Sequence, residues 1–346
     1  MNSYQMKPQI IYGGNGQVLA NEIYRHLYGA GGRLPINADF ELGKMNLGRF
    51  PCGEPDVQIA SDVRERNVYI VVCCKDRAFD ALELCVLNDA AKRAHAGKII
   101  DVIANYPFGR QDRKAKGREP ITAKLYARML EVSGATKVCI MDLHAGQIQG
   151  FFEIPCDNLE PALLFGHDIG ITYKGFENVT FVAPDEGAMK RIKDITRKIG
   201  DPSIPVAMVN KRRVDAKTVK VESVVGAEYI GGRHAVFIDD EIDTAGTAEK
   251  DADALMDLPK PPISLSFYAT HGTFSDPATE RLERLARDYK MTVVVTDTIP
   301  QEPQPWKRVI STGPLFAHAL DRIQRADSVS ALFERETFMR LLYPND

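Results

Sequence analysis

The chain of 346 residues contains no apolar run long enough to span a membrane. Its start, Met1-Asn2-Ser3-Tyr4-Gln5-Met6-Lys7-Pro8, lacks the apolar core of a secretory signal. Charge of one sign is not in excess: the formal net charge is -3, which removes any global electrostatic case for nucleic acid or an anionic membrane as partner. None of the six cysteines (Cys52, Cys73, Cys74, Cys85, Cys139 and Cys156) forms a Cys-x-x-Cys pair. Cys73, Cys74 and Cys139 fall within apolar runs, where a buried reduced thiol is the default. These absences leave a cytoplasmic enzyme or binding protein. What is present is ordinary for a soluble globular chain, with 44% hydrophobic and 26% charged residues, and the length admits two domains.

Apolar runs rich in β-branched residues alternate with helical spacing along the whole chain. Ile10 to Tyr12, Val68 to Cys74, Lys98 to Ala104 and Val138 to Met141 read as strands in the first half. Val18, Leu19, Ile23 and Leu27 fit a helix that Asn15 could cap, and a second helix spans about Ala78 to Ala96. A third runs from Ile121 to Ser133, with Leu125, Met129, Leu130 and Val132 as its apolar side. In the second half the strands are Val179 to Val182, Val206 to Val209, Ala235 to Ile238, Ile263 to Ala269 and Met291 to Thr296. A helix carrying Met189, Ile192 and Ile195 follows Asp185. Another starts at Asp276-Pro277 with proline at the first helical position, and Phe316 to Arg325 reads as a last amphipathic helix. Such alternation implies an α/β class with parallel sheets and helical crossovers, running twice and joined near Asp157 to Pro161. Sites in such sheets lie beyond the carboxyl ends of strands.

The most informative strand end is Val236-Phe237-Ile238-Asp239-Asp240-Glu241-Ile242-Asp243-Thr244-Ala245-Gly246-Thr247. An apolar run ends in acids, and a small-residue turn leads into a helix opening. Unpaired helix amides and the macrodipole favour a phosphate there, and Gly246 lets the backbone approach closely. The acids suit sugar hydroxyls or a cation. Two readings follow from these residues alone: a phosphosugar loop, or an ordinary strand-to-helix turn with a solvated acidic end.

Three other strand ends stand out. Asn105-Tyr106-Pro107-Phe108-Gly109-Arg110-Gln111-Asp112-Arg113-Lys114 continues through Ala115-Lys116-Gly117-Arg118-Glu119-Pro120, and its cations could neutralise a polyphosphate or form a solvated basic loop. Met141-Asp142-Leu143-His144-Ala145-Gly146-Gln147-Ile148-Gln149-Gly150-Phe151-Phe152 places a histidine after a strand, where a hydrogen-bonded structural role is the commoner one. Ala183-Pro184-Asp185-Glu186-Gly187 offers a carboxylate that reads equally as a helix cap.

Together these segments resemble the ribose-phosphate pyrophosphokinases. The loop at Asp239 to Thr247 is similar to the ribose-phosphate loop that this family shares with phosphoribosyltransferases. The Asn105 to Pro120 stretch and the His144 motif resemble pyrophosphokinase signatures that plain phosphoribosyltransferases do not carry. Asn210-Lys211-Arg212-Arg213, Ala269-Thr270-His271-Gly272 and Thr298-Ile299-Pro300 match further landmarks in the family's order, as does Arg49-Phe50-Pro51-Cys52-Gly53-Glu54. The resemblance extends from Gly14-Asn15 to Ser328-Val329-Ser330-Ala331-Leu332-Phe333.

The resemblance implies two phosphoribosyltransferase-like domains, each a mainly parallel sheet flanked by helices. Residues 1-158 would form the first, completed by the C-terminal helix of 314-346, and residues 159-313 the second. It implies transfer of the diphosphoryl group of ATP to the C1 hydroxyl of ribose 5-phosphate, giving 5-phosphoribosyl 1-diphosphate and AMP, with Mg2+ as cofactor. Lys211, Arg213 and Arg110 would be catalytic. Phe50, Cys52, Glu54, Arg110, Gln111, Asp112 and His144 would bind ATP, with Phe50 stacking on adenine at a site shared between subunits. Asp239, Asp240, Asp243, Thr244, Ala245, Gly246 and Thr247 would hold ribose 5-phosphate. His144 and Asp185 would hold the metal, although hard Mg2+ prefers oxygen over nitrogen. Members assemble from dimers, often into hexamers, so a homo-oligomer is implied.

The chain also departs from the family. Cys52 stands where Asp or Asn is common, which affects nucleotide selectivity. Gly146 and Gly117 replace polar residues associated with phosphate activation and ADP inhibition. The Gly29 to Phe40 loop and the Glu334 to Asp346 tail look extended, and Asp257 to Pro262 is proline-rich. Two other readings compete. A phosphoribosyltransferase would lack the basic loop and the His144 motif, and a catalytically silent regulatory paralogue would have lost cations that remain here.

Overall fold

Each apolar run becomes a strand buried on both faces, and the helices between them return the chain to start the next parallel strand. The computed structural model describes residues 7-28, 39-213 and 219-343, with the backbone alone at 212, 213, 219 and 220. Most of the Gly29 to Phe40 loop, the chain start and the last three residues lie outside the described part.

The first half runs β1 (Gln9–Tyr12), α1 (Gln17–Tyr28), β2 (Glu41–Leu42), β3 (Met45–Arg49), β4 (Pro55–Ile59), β5 (Asn67–Val72) and α2 (Arg77–Arg93). It continues with β6 (Lys98–Ile103), α3 (Thr122–Ser133), β7 (Lys137–Met141) and β8 (Cys156–Leu159). Its parallel sheet has the order β2-β1-β5-β6-β7-β8, while β3 and β4 form a separate antiparallel hairpin. The second half holds α4 (Ala162–Thr172), β9 (Val179–Ala183), α5 (Glu186–Ile199), β10 (Val206–Arg213), β11 (Val219–Val225), β12 (His234–Ile242) and α6 (Gly246–Met256). After these come β13 (Ser264–Gly272), α7 (Ala278–Tyr289), β14 (Thr292–Thr296), β15 (Lys307–Ile310), α8 (Gly313–Arg325) and α9 (Arg335–Leu342). The second sheet is ordered β11-β10-β9-β12-β13-β14-β15, parallel except for the β10–β11 pair. The class is α/β, with two mainly parallel sheets flanked by helices.

Both faces of both sheets are covered. Ile10, Tyr69 and Val71 pack with Leu19 and Ile23 of α1 and with Leu315 and Phe316 of α8, and Phe338 of α9 joins the same core. The opposite face takes Leu84 and Leu87 of α2 and Tyr126 and Leu130 of α3. In the second sheet, Phe237 and Phe267 meet Leu255 of α6 and Leu282 of α7, while Phe181 and Ile238 meet Phe165 of α4 and Ile192 of α5. Each such side chain taken from water contributes roughly 1.5–3 kcal/mol.

Three local expectations are corrected. The face of α3 turned to the sheet consists of Ala123, Tyr126, Ala127 and Leu130, whereas Leu125, Met129 and Val132 stay in solvent. The Asn15 side-chain amide donates to the Asp80 carboxylate in the first turn of α2, at 3.0 and 2.8 Å. Pro277 occupies the position before α7 and is its N-cap, not its first helical residue.

Candidate active site

Strand register decides which loops meet. In the second sheet Phe237 of β12 pairs with Val182 of β9, and Met208 of β10 pairs with Ala183 of β9. The residues just beyond, Asp239 and Asp240, Asp185, and Asn210 and Lys211, therefore emerge side by side. On the other flank Asp239 pairs with Ala269 and Glu241 with His271 of β13. Asp185 caps α5, accepting from Ala188 N–H at 2.9 Å, so the cap reading of this residue holds geometrically.

The first sheet faces this point with two loops. After β6, Asn105 bridges to Cys74 through two hydrogen bonds of 2.7 and 2.9 Å. Tyr106 donates to the Ala123 carbonyl at 2.8 Å, and these anchors launch the turn carrying Arg110. After β7, Asp142 turns with φ +46° and sends His144 outward. Asp142 is buried and accepts from Arg191 of α5 and from Thr270 of β13, while His271 Nε2 lies 3.3 Å from its carbonyl oxygen. Asp142 thereby fixes the His144 turn against the second sheet.

Between the two halves lies an open cleft, lined by Arg77, Arg110, His144, Asp240, Glu241 and His271 among others. Its walls carry opposite charge. Arg110 Nη1 is 2.8 Å from Asp243 Oδ2, and its Nη2 is 3.3 Å from Glu241 Oε2. Arg77, the first residue of α2, also pairs with Glu241 and donates to Thr273 at 3.0 Å. His144 Nδ1 lies 2.6 Å from Asp240 Oδ2. That hydrogen bond raises the imidazole above its ordinary value. Burial works to raise Asp240, but the His144 hydrogen bond and the Arg191 charge outweigh it, leaving the carboxyl well below the usual carboxylate range. Burial and the adjoining Asp240 charge push Asp239 the other way, with Asp185 adding to the effect.

The sugar-phosphate candidate is a built turn. Asp243 and Thr244 leave β12, Ala245 adopts φ +56° as the residue before α6, and Gly246 and Thr247 open that helix with their amides at its start. Arg281 of α7 donates to the Thr244 carbonyl at 2.8 Å, and a Cβ on Gly246 would meet its guanidinium at 3.2 Å. Asp243 is lowered overall: burial opposes this, but hydrogen bonds from Ser275 and Arg110 prevail. Lys211 reaches the interior, where its Nζ is 2.7 Å from Oδ1 of Asp251 on α6. Burial raises that carboxyl to about 7 against the pull of Lys211.

Arg110, His144, Asp240 and Asp243 are thus brought together, with Asp185, Asp239 and Lys211 on the adjoining strand ends. Gln111 and Asp112 flank them: Gln111 accepts from the Thr122 hydroxyl and Asp112 from the Gln147 amide, both at 2.5 Å. Phe50, Cys52 and Glu54 sit apart, on the tip of the β3–β4 hairpin, and none of them lines the cleft. The hairpin docks on α2 through Arg49, which pairs with Asp76 at 3.0 Å and covers the Phe79 ring at 3.4 Å. Phe50 and Cys52 are exposed there. The Arg213 side chain lies outside the described part. Sequence reasoning missed Arg77, Asp142, Arg191, Asp251 and Arg281. Asp142 lay within a quoted motif, and the others had no signal beyond charge.

Comparison with known proteins supplies the context. Residues 8–134 match the model of the N-terminal domain of ribose phosphate pyrophosphokinase, and residues 187–334 match that of the phosphoribosyl synthetase-associated domain. A ribose-phosphate pyrophosphokinase of Fusobacterium nucleatum is 40% identical over 309 residues, covering 87% of this chain and 93% of the relative. One from Caldanaerobacter subterraneus is 38% identical over 338 residues, 96% of this chain and all (100%) of the relative. The crystal structure of phosphoribosylpyrophosphate synthetase from Mycobacterium smegmatis superposes with a TM-score of 0.80 at 29% identity, covering 92% of this chain and 99% of that one.

Proposed function

Because the chain belongs to the ribose-phosphate pyrophosphokinase family, we propose that the cleft between its two sheets is where its two substrates meet. The enzyme transfers the diphosphoryl group of ATP to the C1 hydroxyl of ribose 5-phosphate, giving 5-phosphoribosyl 1-diphosphate and AMP. The observation that carries the site assignment is the pairing of Arg110 with Asp243 and of His144 with Asp240 across that cleft. Cations from the first half and acids from the second face one another there, as a polyphosphate and a sugar phosphate require.

In this reading the turn from Asp243 through Thr244, Ala245, Gly246 and Thr247 holds the 5-phosphate on the opening amides of α6. Asp239 and Asp240 orient the ribose diol. The C1 oxygen attacks the β-phosphorus, the bond from that phosphorus to the bridging oxygen breaks, and the electron pair leaves with AMP. The proton of the sugar hydroxyl is released to solvent. Lys211, Arg213 and Arg110 stabilise charge on the transferred group, and positioning supplies most of the remaining rate.

Mg2+ is the proposed cofactor. Among the described residues no group of three His, Cys, Asp or Glu side chains is arranged to hold an ion unaided. That arrangement fits a cation carried largely by substrate phosphates, with one or two protein ligands. Asp185 offers the oxygen, and His144 would add its ring nitrogen. Bound there, the ion would neutralise polyphosphate charge.

Phe50, Cys52 and Glu54 complete an adenine site in a neighbouring subunit's cleft. Their exposed place on the hairpin supports this, as does the apolar stripe of Leu125, Met129 and Val132 left on the α3 surface. The working form is then a homo-oligomer built from dimers. Residues 1-158 with 314-346 make one domain and 159-313 the other, supported by the packing of α8 against the first sheet. Buried cysteines and phosphorylated substrates fit the cytoplasm, and no helix among the described residues is long and apolar enough to cross a membrane. No observation favours a silent regulatory paralogue. AMP release with ATP, Mg2+ and ribose 5-phosphate tests the reading. Omitting any one component should abolish release, and AMP formed without the sugar would refute the transfer.

A further inference from the structure

Lys211 ends on a carboxylate fully removed from solvent. Its Nζ lies 2.7 and 2.8 Å from the two oxygens of Asp251, whose side chain is 0% exposed while that of Lys211 is 15% exposed. Two features of the backbone bring them together. The β10–β11 register shifts between Asn210 and Lys211, and a bulge of that kind re-aims the side chain beside it. Asp251 sits on α6 one turn beyond Thr247, so it is rigidly joined to the amides that open the helix. A buried ion pair is a poor stabiliser, because desolvating both charges offsets their attraction and apolar residues of similar volume usually serve the fold as well. Its use is to fix where a charge stands.

We propose that Asp251 is a positioning residue that holds the Lys211 ammonium on the helix that grips the sugar phosphate. The cation that stabilises the transferred group and the loop that binds the acceptor are then one rigid unit. Asp251 touches no substrate and acts only through Lys211. The proposal rests on Lys211 being catalytic, and the experiment separates the two claims.

The test is steady-state kinetics on the full chain for Asp251→Ala, Asp251→Asn, Lys211→Ala and the Asp251→Ala/Lys211→Ala double variant, with thermal unfolding as a check of fold. Lys211→Ala should lower kcat by roughly 10²- to 10³-fold. Asp251→Ala should lower kcat by roughly 10- to 100-fold, with KM for ribose 5-phosphate unchanged within about 2-fold. Asp251→Asn, whose amide oxygen still accepts from Nζ, should recover part of the loss, and it carries the comparison should the alanine variant not fold. In the Lys211→Ala background, Asp251→Ala should cost nothing further. A slow Lys211→Ala beside an Asp251→Ala and an Asp251→Asn of wild-type kcat would leave Lys211 catalytic and overturn the positioning role. A double variant slower by the full Asp251→Ala factor would also overturn it, because Asp251 would then act through the fold. Wild-type turnover in Lys211→Ala would remove both claims.

Discussion

Arg110 of the first half is bonded to Asp243 of the second, with Nη1 2.8 Å from Oδ2. Its other terminal nitrogen is 3.3 Å from Glu241, so one guanidinium ties the loop after β6 to the acidic end of β12. Arg110→Ala should lower kcat/KM by roughly 10²- to 10³-fold, the usual loss for a preorganised charge-stabilising donor. Arg110→Lys should recover little of it, because an ammonium cannot span both acids as the planar fork does. Steady-state kinetics decide, and a lysine variant near wild type would reduce Arg110 to a point charge.

Asp243→Ala should mainly weaken ribose 5-phosphate binding, by roughly 10-fold or more if a charge-assisted contact is lost. Calorimetry on the purified variant measures it. Unchanged affinity would mean that the turn before α6 does not hold the sugar phosphate.

Gly146 and Gly117 both face open space, with nothing within 4 Å of where a Cβ would stand. Packing does not require glycine at either position, so a polar side chain would fit at both. Without such side chains, inorganic phosphate should give no strong saturable activation in rate measurements. Activation rising to a plateau would show that another set of residues provides the regulatory site.

Strands were the most legible part of the chain, because β-branched apolar runs such as Val68 to Cys74 and Val138 to Met141 have one natural home, a sheet covered on both faces. The buried face of α3 was not legible. Tyr126 and Leu130 and the exposed Leu125 and Met129 form two apolar stripes, and periodicity cannot choose between them when small alanines, Ala123 and Ala127, line the correct one. The β3–β4 hairpin does alternate at Met45, Leu47, Val57 and Ile59, but its segment drew attention only for Phe50, Cys52 and Glu54. Candidate loops were legible where strand end, turn and helix opening are contiguous, as at Asp243 to Thr247. Pairs such as Arg77 with Glu241 or Lys211 with Asp251 arise from long-range packing, and no spacing in the sequence encodes them.

A buried acid sets one pH dependence of the fold. Asp101 of β6 is completely buried, accepts from Asn88 of α2 at 3.0 Å, and burial pushes its carboxyl up to about 8. From about pH 4, where an unfolded aspartate ionises, to about 8, the native state keeps a proton that the unfolded chain releases. Stability therefore falls as pH rises through that window, by up to about 1.4 kcal/mol per pH unit from this group, and the slope ends above the folded value. Asp101→Asn should flatten the profile. Urea midpoints between pH 5 and 8 measure it, and an unchanged slope in the variant would assign the dependence to other groups.

The reaction is a single diphosphoryl transfer from ATP to the C1 hydroxyl of ribose 5-phosphate. Phosphorus NMR on a mixture of enzyme, Mg2+, ribose 5-phosphate and ATP carrying 18O on its β-phosphoryl group follows that group directly. The label should move intact into a diphosphate on C1 of the sugar as AMP accumulates in equal amount. Label left in ADP, or released as free pyrophosphate with the sugar unchanged, would contradict it.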